Sequence, residues 1–160
     1  MRIIVLSDSH GDFARADSVV SRNIGYCDMV IHLGDGEDDV RKLREKYQQL
    51  IIHSVRGNCD YDNSVPASLV VSAGGVRIFC THGHRCRVHY GTELLSENAI
   101  ANDCLIALFG HTHSRCEETY GGIYLMNPGS CARPRDGRQP SFGVVEILKD
   151  GSIITGVYDV

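Results

Sequence analysis

The chain has 160 residues, 42% of them hydrophobic, the usual size of one domain and enough to enclose a core. Its formal charge of −4 lacks the basic excess of a tight, non-specific nucleic-acid binder, so nucleic acid is disfavoured except as a substrate. Seven cysteines without a C-x-x-C pair fit neither a disulfide framework nor a zinc ribbon, and a reducing cytoplasm is expected.

At the N-terminus, Ser7-Asp8-Ser9-His10 closes the apolar run Ile3-Ile4-Val5-Leu6 too early for a signal peptide. No later run reaches the ~18 apolar residues of a membrane span, so an unprocessed chain without a membrane partner is expected. Residues 2–6 form a short β-branched strand, and Asp12 to Arg22 carries Phe13, Ala16, Val19 and Val20 at helical spacing. The pattern recurs with Met29 to Leu33 as a buried strand and Asp38 to Tyr47 as a helix with Val40, Leu43 and Tyr47 on one face. A third strand follows at Leu50 to Val55. Strands alternating with helices over this length predict right-handed βαβ units and a parallel sheet.

After residue 65 the punctuation changes: Gly74-Gly75, Gly121-Gly122 and Asp150-Gly151 each separate two strand-like runs by a turn-forming pair. Between the first two of these hairpins, Thr92 to Ala101 reads as a helix and Cys104 to Phe109 as a buried strand. The coarse order is βαβαβ, hairpin, α, β, hairpin, hairpin. That is enough strand for two sheets, the second largely antiparallel, in a single domain spanning residues 1–160.

Five polar clusters directly follow apolar runs: Asp8-Ser9-His10, Gly34-Asp35, Gly57-Asn58-Cys59-Asp60, Thr81-His82-Gly83-His84 and Gly110-His111-Thr112-His113. In α/β sheets ligands gather beyond the carboxyl ends of the strands, so these loops are expected to converge. Their candidate ligands are Asp8, His10, Asp35, Asn58, His82, His111 and His113. Imidazole with carboxylate or amide oxygen suits first-row transition metals without thiolate. Seven ligands exceed one ordinary four-ligand zinc site, whereas two ions sharing a carboxylate use them all.

Taken singly, several fragments have plainer readings. Asp8 or Asp12 could cap the first helix, and Gly34-Asp35-Gly36 or Gly57-Asn58 could be simple turns. The His111-x-His113 pair differs, because two close imidazoles cost stability unless a ligand uses them. His32 and His53 read as core or edge residues, His89 as surface, and His84 as a residue near the substrate. Among Arg85, Arg87, Arg133, Arg135 and Arg138, two or three could contact phosphate, although such residues more often lie on solvated loops.

In chain order, D-x-H, G-D, G-N-x-D, H-G-H and G-H-x-H resemble the calcineurin-like metallophosphoesterase superfamily, in particular its small bacterial and archaeal phosphodiesterase branch. Ile31-His32-Leu33-Gly34-Asp35 and Asn127-Pro128-Gly129-Ser130 extend the resemblance. It implies an α/β fold of two packed mixed β-sheets flanked by helices, a four-layer sandwich. It further implies that Asp8, His10 and His113 hold one ion, that Asn58, His82 and His111 hold the other, and that Asp35 bridges them.

The implied activity is hydrolysis of phosphodiesters, with a small phosphate ester as substrate and a metal-bridging hydroxide as nucleophile. Asn58, Cys59, His82 and His84 are the residues placed nearest the chemistry. The two divalent ions are expected to be manganese first, with iron, zinc, nickel or cobalt compatible. Many superfamily members carry a leaving-group histidine where this chain has Cys59, and a thiol is a poorer proton donor than imidazolium, so good leaving groups should be preferred. A phosphomonoesterase, a nuclease and a non-catalytic metal-binding scaffold of the same fold are the alternatives. The oligomeric state is not encoded in any of these motifs.

Overall fold

The computed structural model describes residues 1–160. Apolar runs from Ile3 to Leu6 within Arg2–Leu6 (β1) and from Met29 to Ile31 within Met29–His32 (β2) are buried on both faces, as parallel strands covered on two sides must be. Between them, Phe13–Asn23 (α1) starts at Asp12, whose Oδ1 accepts the Arg15 N–H at 3.2 Å. Asp12, rather than Asp8, is therefore the cap. Glu37–Lys46 (α2) begins at Gly36 with no side-chain cap of its own, although Glu37, Asp38 and Asp39 place negative charge in its first turn.

Ile51–Ser54 (β3) completes the parallel part, with β1 pairing β2 and β2 pairing β3. The remaining strands are Ser68–Ala73 (β4), Val76–Thr81 (β5), Ile106–Leu108 (β6), Arg115–Tyr120 (β7), Ile123–Pro128 (β8), Ser141–Ile147 (β9) and Ile153–Asp159 (β10). Glu93–Ala101 (α3) connects β5 to β6. The two sheets have the orders β10-β9-β1-β2-β3 and β4-β5-β6-β8-β7.

Two expectations are corrected by this arrangement. The second sheet is mixed rather than largely antiparallel: only its outer pairs, β4 with β5 and β7 with β8, are antiparallel. The α3 crossover returns the chain parallel to β5, and the β7–β8 hairpin sets β8 parallel against β6. The last hairpin joins the first sheet instead, where β9 pairs β1 antiparallel. A 3₁₀ turn at His84–Cys86, absent from the sequence reading, follows β5.

Alternation along β1 shows how the layers form. Ile3 and Val5 face the core between the sheets, together with Ile31, Ile78, Leu108 and Val145. Ile4 and Leu6 face α1 and α2, against Val19, Val20 and Leu43. On the other side, Leu95 and Ala99 of α3 pack on Phe79, Ala107 and Leu125. The result is helix, sheet, sheet, helix. No helix is long and apolar enough to cross a membrane.

Candidate metal centre

The five polar clusters leave β1, β2 and β3 of one sheet and β5 and β6 of the other at their carboxyl ends, and they converge. Their backbone is unusual. Seven non-glycine residues have positive φ, and five of them are Asp8 (55°), His10 (45°), Asp35 (55°), His111 (70°) and His113 (57°). Such conformations cost on the order of 1 kcal/mol or more each and persist only where surrounding structure enforces them. Two glycines allow the loops to close on one another: a Cβ at Gly57 would overlap Asp35 Oδ1, and one at Gly110 would overlap Ser7 Oγ.

Asp8 is fully buried. Its Oδ2 accepts from Ser7 Oγ at 2.5 Å and from the His111 N–H at 3.1 Å. Its Oδ1 has no hydrogen-bond donor, yet lies 3.2 Å from His113 Nε2 and 3.9 Å from His10 Nε2. Those two Nε2 atoms are 3.2 Å apart. Asp35 Oδ1 accepts the Cys59 N–H at 2.8 Å, and its Oδ2 lies 3.8 Å from His10 Nε2 and 3.5 Å from His82 Nε2. Asn58 Oδ1 stands 3.1 Å from His82 Nε2.

The imidazoles are oriented from behind. His82 Nδ1 is 2.7 Å from the Leu33 carbonyl and His113 Nδ1 is 2.7 Å from the Arg133 carbonyl. A carbonyl only accepts, so Nδ1 carries a hydrogen in both rings, and Nε2 is the position that gives up its proton to offer a lone pair to the centre. Although burial works against the charged rings, contact with Asp35 raises His82 and contact with Asp8 raises His113, so without a cation these rings hold protons against the carboxylates. Burial works against ionisation of Asp8 and Asp35, but contact with His113 for the first and His82 for the second holds both carboxyls below the usual range. Burial, followed by the charge of His82, pushes His111 down to about 4. Ionised carboxylates and neutral imidazoles are the states in which these groups bind cations, so Asp8, Asp35 and His111 are in that state already while His82 and His113 would release a proton on binding.

Three sets of donors have their atoms within 4.8 Å of one another: Asp8 with His10 and His113, Asp8 with Asp35 and His82, and His10 with Asp35 and Cys59. His111 stands one ring away, its centroid 5.1 Å from that of His82. His84 is 5.4 Å from His82, ring to ring, and its Nδ1 is buried without a partner. Cys59 is exposed at the rim, and partial loss of water around its sulfur, then Asp35 alongside, pushes the thiol up to about 11. Of the five arginines, three lie beside the centre: Arg133 Nη2 is 3.4 Å from the His10 carbonyl, the Arg135 N–H donates to the His113 carbonyl at 2.9 Å, and the charges of Arg135 and Arg85 act on His113 and His84.

Several supports were missed in the sequence. Asp60 accepts four backbone N–H groups, those of Asp35 and Gly57 on Oδ2 and those of Gly36 and Glu37 on Oδ1, tying two clusters together and capping α2. His32 is a buried core residue, as expected, but it also connects loops. Its Nδ1 accepts the Gly34 N–H, so its Nε2 donates to Ser9 Oγ, which donates to Asp39. Asn127 Nδ2 donates to the Gly110 carbonyl and Ser130 Oγ to the Asp8 carbonyl. His89 is exposed, as expected, though its ring centroid lies only 4.7 Å from that of His111. A larger cavity of about 470 Å³ borders α2 and β3 but contains none of the seven candidate ligands.

The profile of the calcineurin-like phosphoesterase superfamily domain matches residues 1–150. The chain belongs to this superfamily. Within the superfamily it is 30% identical over 162 residues to the probable metallophosphoesterase YsnB of Bacillus subtilis, covering 96% of this chain and 89% of that protein. Phosphodiesterase YfcE of Escherichia coli is 34% identical over 132 residues, covering 72% of this chain and 66% of its own. The structure of Entamoeba histolytica Vps29 complexed with zinc superposes with a TM-score of 0.76 at 27% identity, covering 99% of each chain. The two mixed five-stranded sheets are the superfamily's fold, and the donor sets lie in a chain whose family is metal-dependent.

Proposed function

We propose that this chain is a metal-dependent phosphodiesterase with two divalent ions. One is held by Asp8, His10 and His113, the other by Asn58, His82 and His111, and Asp35 is shared. The observation that carries the reading is the position of Asp35 Oδ2, 3.5 Å from His82 Nε2 and 3.8 Å from His10 Nε2, beside a buried Asp8 Oδ1 that has no donor. Two buried carboxylates are costly unless positive charge meets them, and divalent ions would take the place of the protons on His82 and His113.

Ions held by these residues would supply a water acidic enough to act near neutral pH and would neutralise charge on the phosphate oxygens. Leu33 and Arg133 carbonyls hold the rings of His82 and His113 in the ligating tautomer. His84 faces the substrate, and Arg133 gives one guanidinium at the rim. Manganese, iron, zinc, nickel and cobalt are all compatible with this nitrogen and oxygen donor set, and availability would decide among them. Zinc in the related Vps29 structure supports a metal in this fold.

A diester is preferred over a monoester because the related YfcE carries the name phosphodiesterase. Cys59 in place of an imidazole favours esters whose leaving oxygen needs little protonation. The test compares bis(p-nitrophenyl) phosphate with p-nitrophenyl phosphate after chelation and reloading with manganese. Higher kcat/KM on the diester, lost with chelator, is expected. A clear preference for the monoester makes the chain a phosphatase, and no turnover with either ester makes it a metal-binding scaffold.

A further inference from the structure

Beside the centre, a cavity of about 300 Å³ runs from His10, Asp35 and Cys59 to Tyr61 and Arg133. That volume lies at the small end of the roughly 300–1,000 Å³ found for small-molecule clefts. Its lining is chemically uneven. Tyr61 is 90% exposed, although its own N–H donates to Glu37 Oε2 at 2.8 Å, so the backbone is pinned while the ring stands free.

Arg133 contributes a guanidinium whose hydrogen bond to the His10 carbonyl is long at 3.4 Å. The other charged groups of the wall away from the centre are carboxylates, Glu37, Asp38, Asp39 and Asp60. Asp60 is saturated by backbone N–H groups, and Asp38 is paired with Arg41. Asp39 differs. It is fully buried, its Oδ2 accepts from Ser9 Oγ and the Gly11 N–H, and its Oδ1 has no donor.

A second phosphate would be repelled by such a wall, whereas an uncharged group bearing hydroxyl or N–H donors would satisfy it. A free tyrosine ring at the rim offers a face on which a flat heterocycle can stack. We infer that this cavity is the subsite for the nucleoside arm of a phosphodiester, with the base on Tyr61 and the sugar hydroxyls toward half-buried Glu37, whose Oε2 alone is taken by backbone N–H groups. The inference rests on the diesterase reading above. A nitrophenyl group carries no donor, so in a mixed diester the nucleoside takes the cavity.

The test uses the manganese-loaded chain with two diesters that share a leaving group, thymidine 5′-(p-nitrophenyl phosphate) and methyl p-nitrophenyl phosphate. In each, water adds to phosphorus and the bond to the nitrophenyl oxygen breaks, releasing nitrophenolate and leaving thymidine or methyl monophosphate. The expected KM is about tenfold lower for the thymidine ester, a usual size for stacking on an aromatic side chain. Tyr61→Ala abolishes that difference and leaves KM for the methyl ester and kcat for both within about twofold of wild type, and Tyr61→Phe preserves it.

A second readout needs no metal and no turnover. Saturation-transfer NMR with free thymidine on chelated protein should show contact in wild type and Tyr61→Phe, and none in Tyr61→Ala. If neither diester is hydrolysed while thymidine contact depends on Tyr61, the diesterase reading fails and the subsite stands. Equal KM values for the two esters, or a thymidine preference that survives Tyr61→Ala, overturns the subsite while the diesterase reading stands. With no turnover, loss of Tyr61-dependent contact overturns both.

Discussion

Replacing Asp60 with asparagine keeps the shape of the side chain and removes half of its acceptors. In the native structure Oδ2 takes the Asp35 and Gly57 N–H groups, both at 2.8 Å, and Oδ1 takes those of Gly36 and Glu37 at 3.0 and 3.1 Å. An amide can satisfy one of these pairs and turns an NH₂ group toward the other, so two bonds to a carboxylate are lost and two donors face each other. Bonds to a charged group contribute about 1.5–3 kcal/mol each, so the two together bound the loss at roughly 3–6 kcal/mol. Asp60 is half-buried and water can reach the freed groups, which places the expected loss near the lower end, about 3 kcal/mol. For a chain of this length that is a fall in Tm of roughly 6–12 °C. Guanidinium unfolding followed by circular dichroism, with chelator present so that metal binding does not enter, measures it. A loss below about 1 kcal/mol would refute the view that this carboxylate is what fastens the two loops.

Asp35→Asn and Asn58→Ala should each lower kcat/KM on an aryl diester by at least about 100-fold, above what outer partners of a metal ligand usually contribute, with unfolding midpoints close to wild type. Activity that survives both changes would remove the two-ion mechanism. Gly57→Ala places a Cβ on Asp35 Oδ1 and within 2.6 Å of the Asp35 nitrogen. Overpacking of that kind costs about 1–3 kcal/mol and should displace the shared carboxylate, so both stability and turnover fall. Gly25→Ala, whose Cβ meets nothing within 4 Å, is the control, and equal behaviour of the two variants counts against a close approach at Gly57.

Much of the molecule could be read before its coordinates. The strand and helix runs of the N-terminal third are where Ile3 to Leu6, Val19 and Leu43 put them, because both-face burial and helical periodicity are local signals. The candidate ligands were legible for the same reason: each directly follows an apolar strand. The edge joined by the β9–β10 hairpin was not legible, since a turn-forming pair fixes which strands are antiparallel neighbours and says nothing about which sheet receives them. Asp60, Asp39 and Ser130 were missed as supports because a side chain bonded to a backbone group dozens of residues away leaves no spacing in the sequence. Asp60 and Ser130 did stand inside motif segments, so their presence was visible and their work was not.

The left-handed turns at Asp8, His10, Asp35, His111 and His113 bear on how the chain would acquire its ions. These five backbones are bent by the sheets beneath them and by fixed hydrogen bonds such as Asn127 to Gly110 and Ser130 to Asp8. A cation would then enter a finished cradle and would not mould one. Chelation should leave the loops standing in place, and one divalent ion should exchange for another without any part of the chain refolding. Selection among metals would pass from the protein to its surroundings, and the same polypeptide would work with whichever suitable ion is in supply.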